Sequence, residues 1–257
     1  KYRQFFPIHI LTAIIGIFLY KTYSFIAILL NILLLQSWSI DPSIFFACNG
    51  LSWFLSSLLF CYFMAPIYMS FLKSVKISMI ALLATLLLRI AIEILPTIYP
   101  NQLWVVNCTL NPFVKSLEFL SGMLFVPLYF SLNKNIKTLT SKNFWSFAEI
   151  LIFISTAYCF VKIPNVFMIP LFCILIFTLS FEKGVLSKIL SFKFFIWFSG
   201  FQLAFYMFHH IIIYIFNTYY HQTIYGFYTV RTIIFITAVI ISLCYTKYLD
   251  KRIKRYL

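Results

Sequence analysis

Nine long apolar blocks, separated by short basic or polar ones, constrain this chain more than any motif in it. They run Phe5–Tyr20, Tyr23–Trp38, Trp53–Leu72, Ile77–Leu95, Phe113–Leu132, Phe144–Val161, Val166–Phe181, Phe194–Phe216 and Val230–Tyr248. An α-helix needs ~20 apolar residues to cross a ~30 Å hydrocarbon core, and most blocks meet that need. Hydrophobic residues are 63% of the 257 and charged residues 10%. A soluble domain of this size could not hide so much apolar surface and still keep polar cover outside. The blocks do not alternate apolar with polar residues, which argues against a β-barrel. No stretch between them is long enough for a soluble domain. Residues 1–257 are therefore expected to form a single domain. It is an all-α, polytopic helical membrane bundle of about 8–9 apolar segments.

The net charge of +14 raises the question of nucleic acid, but the placement of the charge answers it. Lys73 and Lys76 share one loop, Lys134, Lys137 and Lys142 a second, and Lys183, Lys188 and Lys193 a third. Lys247, Lys251, Arg252, Lys254 and Arg255 form the tail, whereas Ser39–Ser52, Pro96–Pro112 and Asn217–Phe227 contain no Lys or Arg. Positive residues collect on the cytoplasmic side of membrane proteins. The basic loops and the C-terminus are expected inside and the uncharged loops outside. The partner is the lipid bilayer, with no nucleic acid.

This alternation strains the first two blocks. Lys1 and Arg3 belong inside and Ser39–Ser52 outside, so Phe5–Trp38 must cross an odd number of times. A straight helix of that length would measure roughly 50 Å, too long for the core. One full crossing plus a re-entrant or broken segment near the N-terminus is expected. Such backbone is tolerated where protein or a cavity surrounds it. The abrupt opening, Lys1-Tyr2-Arg3-Gln4, leads to the expectation that a preceding piece of the protein is missing.

The six cysteines show neither a CxxC nor metal spacing, and no metal site is expected. Cys48 and Cys108 fall in loops placed outside, where a disulfide is chemically permitted. With six glycines and no phosphate-cradling Gly-rich loop, nucleotide hydrolysis is not expected. Pro66, Pro127 and Pro170 lie within apolar blocks and are expected to kink helices.

Charges inside apolar blocks are costly, about 2.5–3.5 kcal/mol on insertion scales, and so are commonly paired or functional. Arg89 and Glu93 are four apart on one helix face and can pair with each other. Lys115 and Glu118, three apart, can also pair. Gly122 lies on the face of Glu118, where it would admit a close helix neighbour. Glu149, near the inner end of its block, is expected to reach water and has no assigned role. His209 and His210 point ~100° apart on a helix and cannot serve one site equally. His209 could shuttle a proton or could be a hydrogen-bonded bundle histidine. His9 and His221 are read as incidental. Asn49, Ser52 and Trp53 open a helix at the outer face. Asn49 or Ser52 can cap its free N–H groups, and Trp53 suits the interfacial belt.

Several strings occur together in order: Leu35-Gln36-Ser37-Trp38, Asn49-Gly50-Leu51-Ser52-Trp53-Phe54-Leu55-Ser56, Leu59-Phe60-Cys61-Tyr62 with Pro66, Glu118-Phe119-Leu120-Ser121-Gly122-Met123, and Tyr206-Met207-Phe208-His209. In that order the chain resembles the integral-membrane acyltransferase family 3, which includes bacterial surface-polysaccharide O-acetylases. The opening Lys1-Tyr2-Arg3-Gln4-Phe5-Phe6-Pro7 is similar to the family's basic cytoplasmic segment. Family members carry, upstream, a first helix with an Arg and a His about ten residues apart; this chain has neither. Gln4 stands where a second Arg is usual, and Gln202 and Ala204 where Ser is frequent.

The resemblance implies an O-acyltransferase of the bacterial cytoplasmic (inner) membrane. It would move an acyl group, acetyl foremost, from cytoplasmic acetyl-CoA or another acyl-CoA to a hydroxyl of an extracytoplasmic glycan or lipid-linked sugar acceptor. It implies catalytic proton transfer at His209. Asn49, Ser52, Trp53, Arg89, Glu93 and Glu118 would lie around the acceptor, and Lys1 and Arg3 would hold the coenzyme's phosphates. No permanently bound cofactor is implied. A transporter or flippase for lipid-linked sugars, or a non-catalytic scaffold, would use the same kind of bundle.

Overall fold

The computed structural model describes residues 2–20, 23–99, 109–139, 142–162, 168–219 and 227–250. Among them every regular element is helical. Five helices are long and apolar enough to cross a membrane, and a sixth span results if one bent pair counts as one crossing. Among the described residues this count is lower than that of the apolar blocks because Phe5–Tyr20 and Met168–Leu179 are shorter apolar helices and the Tyr23–Trp38 block is broken.

The α-helices are α1 (Tyr2–Tyr20), α2 (Phe25–Ile32), α3 (Pro42–Phe45), α4 (Trp53–Tyr68), α5 (Val75–Ile98), α6 (Pro112–Leu124), α7 (Val126–Leu139), α8 (Lys142–Lys162), α9 (Met168–Leu179), α10 (Val185–Leu190), α11 (Lys193–Ser199), α12 (Gln202–Tyr219) and α13 (Phe227–Cys244). The chain resolves into two compact units. Unit 1 comprises Lys1–Leu59 and Ile196–Leu257, and unit 2 comprises Phe60–Phe195.

In unit 1 the block Tyr23–Trp38 is not one helix. Ser24 caps α2 by accepting from Ala27 N–H, and α2 ends at Ile32. Its end is a Schellman turn: Leu35 N–H donates to the Leu30 carbonyl at 2.8 Å and Leu34 N–H to the Asn31 carbonyl at 2.9 Å. Leu34 occupies the left-handed position of that turn with φ 59°, where glycine is usual. Its side chain is fully buried, and that burial offsets the backbone cost of about 1–2 kcal/mol. A 3-10 turn over Gln36–Trp38 follows. The small buried residues Ala13, Ala27, Ala47 and Cys48 let α1, α2 and the loop after α3 approach closely. At Gly16 an added Cβ would collide with the Cys48 carbonyl. Cys48 is a buried free thiol; Cys108, with which the sequence permits a disulfide, lies outside the described residues. The other main packing is between α12 and α13.

In unit 2, α5 packs on α6 and α8 on α9. Tyr68, Leu82, Leu120 and Leu124 form one core, and the Tyr68 hydroxyl lies 2.6 Å from Ser116 Oγ. Trp145, Phe177 and Phe181 form an aromatic cluster beside Phe125 and Tyr129. Pro66 lies inside α4, but Pro127 is the second residue of α7 and Pro170 falls in the first turn of α9. The first turn of a helix has unpaired N–H groups and accepts proline without a kink. The sharp bend falls elsewhere: α11 and α12 meet at 59° across Gly200 and Phe201.

Glu149 corrects the expectation of a water-reaching carboxylate with no role. It is fully buried. Its carboxylate accepts from Gly184 N–H at 3.0 Å, Ser187 N–H at 3.0 Å and Ser187 Oγ–H at 2.8 Å. The six-residue α10 starts with unpaired backbone donors, and a carboxylate from α8 supplies the acceptors.

Candidate functional sites

The strings Asn49–Ser56 and Tyr206–His209 meet within unit 1. Asn49 Nδ2 donates to the Met207 carbonyl at 2.9 Å, and its Oδ1 accepts from Leu51 N–H. The Phe54 and Tyr206 rings are 5.5 Å apart, edge to face. A Cβ at Gly50 would stand 3.2 Å from the His210 ring. These contacts fix the turn of α12 that carries His209.

His209 Nδ1 lies 3.1 Å from the Phe205 carbonyl, and its ring stacks on Phe205 at 5.6 Å and 11°. A carbonyl can only accept, so Nδ1 carries a proton, and in the neutral ring the lone pair is then on Nε2. His209 lines a cavity of about 420 Å³ together with Phe205, Asn217, Arg231 and Phe235. Arg231 and Asn217 were not singled out from the sequence. Each stands near the end of an apolar block, where a polar residue is unremarkable. A second cavity, about 620 Å³, lies where the α11–α12 bend faces the end of α13, with Trp197, Gly200, Thr246, Lys247 and Tyr248 on its walls.

Behind Asn49 lies a fully buried polar network. Ser52 Oγ accepts from Asn31 Nδ2 at 2.9 Å and Gln36 Nε2 at 3.1 Å, and donates to the Asn49 carbonyl at 2.7 Å. Asn31 Nδ2 also donates to the Ala47 carbonyl, and His9 Nε2 to the Asn31 carbonyl at 2.8 Å. Among the described residues His9 Nδ1, Asn31 Oδ1 and Gln36 Oε1 have no hydrogen-bond partner. Asn49 and Ser52 thus direct their polar atoms to protein partners. Trp53 is half-buried, its ring 6.4 Å from Phe45. All but one of these links join residues 16 to 22 apart, beyond the i,i+3 and i,i+4 spacing that helical periodicity reveals, so His9 reads as incidental from the sequence.

Arg89, Glu93 and Glu118 belong to unit 2. Arg89 Nη1 and Glu93 Oε2 lie 2.5 Å apart, a close ion contact without hydrogen-bond alignment. Arg89 Nε donates to Glu118 Oε1 at 2.9 Å, and Lys115 Nζ to the same oxygen at 2.7 Å. The two expected local pairs are therefore one four-residue cluster, joined across α5 and α6 by Arg89 and Glu118. It lines a cavity of about 330 Å³ with Thr109 and Phe160. Among the described residues Gly122 does not receive a close helix neighbour: none stands within 4 Å of where its Cβ would be. It borders an apolar groove of about 400 Å³ instead. Lys1 lies outside the described residues, and Arg3 is placed on the first turn of α1. Among the described residues no group of three or more His, Cys, Asp or Glu could hold a metal ion.

No family model, curated protein or solved structure matches this chain.

Proposed function

We propose that the protein is a membrane-embedded O-acyltransferase. In this reading His209 is the base, acyl-CoA the donor, and a hydroxyl of an extracytoplasmic glycan or related molecule the acceptor. The observation that supports it best is the His209 geometry: Nδ1–H held by the Phe205 carbonyl, with the ring on the wall of a cavity that also contains Asn217 and Arg231. A base must present a lone pair, in a fixed direction, where a substrate can enter.

Placing the basic loops in the cytoplasm puts the C-terminus inside, in a bacterial inner membrane, with Asn217 and Arg231 toward the outer face. The cavity at the α11–α12 bend then faces inward. Its Trp197 and Lys247 suit the base and phosphates of a nucleotide-bearing thioester. The short α2 and the turn after it are the proposed re-entrant segment, with α1 as the neighbouring crossing.

In the reaction, His209 Nε2 takes the acceptor hydroxyl proton as the oxygen attacks the thioester carbonyl. N–H donors of Asn217 and Arg231 stabilise the tetrahedral oxyanion. Collapse breaks the carbon–sulfur bond, and the imidazolium returns its proton to the departing thiolate. Asn49 and Ser52 position the site through Met207 and the buried network.

The test is transfer of radiolabelled acetyl from acetyl-CoA to glycan in membranes carrying the full-length protein. Loss of transfer in His209→Ala and His209→Gln, with unchanged protein level, supports the reading. Undiminished transfer in both variants removes His209 as the base. No transfer by the native protein with any acyl-CoA removes the reading.

A further inference from the structure

The buried network of unit 1 has a one-sided hydrogen-bond balance. His9, Asn31, Gln36 and Ser52 are fully buried and belong to one chain of bonds. His9 bonds the Asn31 carbonyl, and the Asn31 and Gln36 amides meet at the same Ser52 hydroxyl. Each donor atom of the four side chains is engaged. Among the described residues three acceptors, His9 Nδ1, Asn31 Oδ1 and Gln36 Oε1, have no partner. Buried polar atoms are seldom left so unless an ion, a proton or a water answers them.

Turning the amides over does not cure the imbalance. Ser52 Oγ gives its proton to the Asn49 carbonyl, so it can only accept from Gln36, which must present its NH2 group. Asn31 is held in the same way, because its Nδ2 faces the Ala47 carbonyl. His9 Nε2 faces the Asn31 carbonyl and carries a proton, so in the neutral ring the lone pair is on Nδ1. The bonds already made therefore fix all three leftover atoms as acceptors.

Their place in the fold favours positive charge. Asn31 is the penultimate residue of α2, and Gln36 opens the 3-10 turn just beyond it. The carbonyl end of a helix carries roughly half a negative charge and attracts cations. In membrane bundles the C-terminal ends of broken helices coordinate monovalent cations in this way.

The neutral ligands select the charge of the ion. Of the six acidic residues, Asp41 is exposed where it caps α3, Asp250 ends the described residues, and Glu93, Glu118, Glu149 and Glu182 belong to unit 2. A divalent ion would bring two charges with no carboxylate to balance them. A water would donate to two of the acceptors and leave its own lone pairs without donors. A monovalent cation requires acceptors only.

We propose that unit 1 binds one monovalent alkali cation at the C-terminal end of α2, with Asn31 Oδ1 and Gln36 Oε1 as side-chain ligands and His9 Nδ1 accepting from a water on the ion. This site goes beyond the acyl-transfer reading and involves neither donor nor acceptor, so it is read without any assay of transfer.

The test uses the full chain in detergent, with radioactive sodium and rubidium as probes and choline chloride holding the ionic strength constant. Saturable binding of sodium or rubidium is expected, displaced by unlabelled sodium or potassium and not by choline. Gln36→Met removes an oxygen ligand at similar volume and is expected to weaken binding at least about tenfold. Gln36→Glu keeps an oxygen and adds a balancing charge, and is expected to tighten binding at least about tenfold. The bound ion should also raise the thermal midpoint of the native protein, because a ligand of the folded state stabilises it. No saturable binding, or an affinity unchanged in both variants, would overturn the proposal. So would a midpoint that rises with falling pH and ignores both ions, which would assign the acceptors to a protonated His9. If one variant fails to fold, the other still decides it, since the two move affinity in opposite directions.

Discussion

Asn49 and Met207 are joined by a side-chain-to-backbone hydrogen bond of 2.9 Å, although 158 residues separate them. The bond ties the loop before α4 to the turn of α12 that bears His209. Replacing Asn49 with Ala leaves a buried carbonyl without its donor. In membrane bundles such a loss costs about 0.6–1.7 kcal/mol. Asn49→Ala should lower the thermal midpoint in detergent, and Asn49→Asp should lower it further because a buried carboxylate cannot donate to a carbonyl. A midpoint unchanged in both variants would show that the bond does not hold α12.

The Glu149 cap should be among the most sensitive positions of unit 2. Glu149→Ala removes the acceptor for two backbone N–H groups and one hydroxyl at once. Each unsatisfied buried donor costs about 1–3 kcal/mol. Glu149→Gln keeps one acceptor oxygen and should fall between Ala and the native residue. Gly184→Ala should be severe as well, because its Cβ would overlap the Glu149 carboxylate. Limited proteolysis of the 180–193 region is the readout, and equal resistance in all four proteins would contradict the cap.

Arg89 and Glu118 should respond asymmetrically. Arg89→Met strands Glu93 and leaves Glu118 with Lys115 alone, whereas Glu118→Gln leaves Arg89 beside Glu93. Breaking a buried pair from one side typically costs about 3–5 kcal/mol, less where water reaches the partner. The Arg89 variant should express poorly and melt lower than the Glu118 variant. A double-mutant cycle should return a coupling energy different from zero.

Cys48 should be silent to thiol reagents. Burial pushes its thiol up to about 11 from an ordinary value near 9. The folded state thus favours the neutral thiol. This contribution to stability is intact below pH 9 and is lost as the pH rises toward 11. In a variant retaining Cys48 as its sole cysteine, maleimide labelling at pH 7–8 should require denaturation. Rapid labelling of the folded protein would show that the thiol is accessible.

The apolar runs made much of this architecture legible. The Ile77–Leu95 block appears within α5, and the Arg89–Glu93 and Lys115–Glu118 pairs follow from helical spacing. Breaks in helices were harder to see. Leu33-Leu34-Leu35 contains no stop signal, yet α2 ends there because Leu34 is better buried in a left-handed turn than extended in a helix. Gly122 had the composition of a packing glycine and turned out to border a groove, since its spacing says which face it occupies but not what stands opposite.

Hydropathy and charge alone therefore determined that the chain forms helices apolar and long enough to cross a membrane, because desolvation depends on composition over ~20-residue windows. The tertiary structure alone decided which polar groups meet. It placed Asn49 under Met207, Glu149 at the start of α10 and Arg89 between two glutamates from different helices. Apart from Arg89–Glu93, which helical spacing already offers, those partners are distant in sequence. Their pairing is set by how helices pack, where each buried donor or acceptor must find a partner that no local spacing encodes.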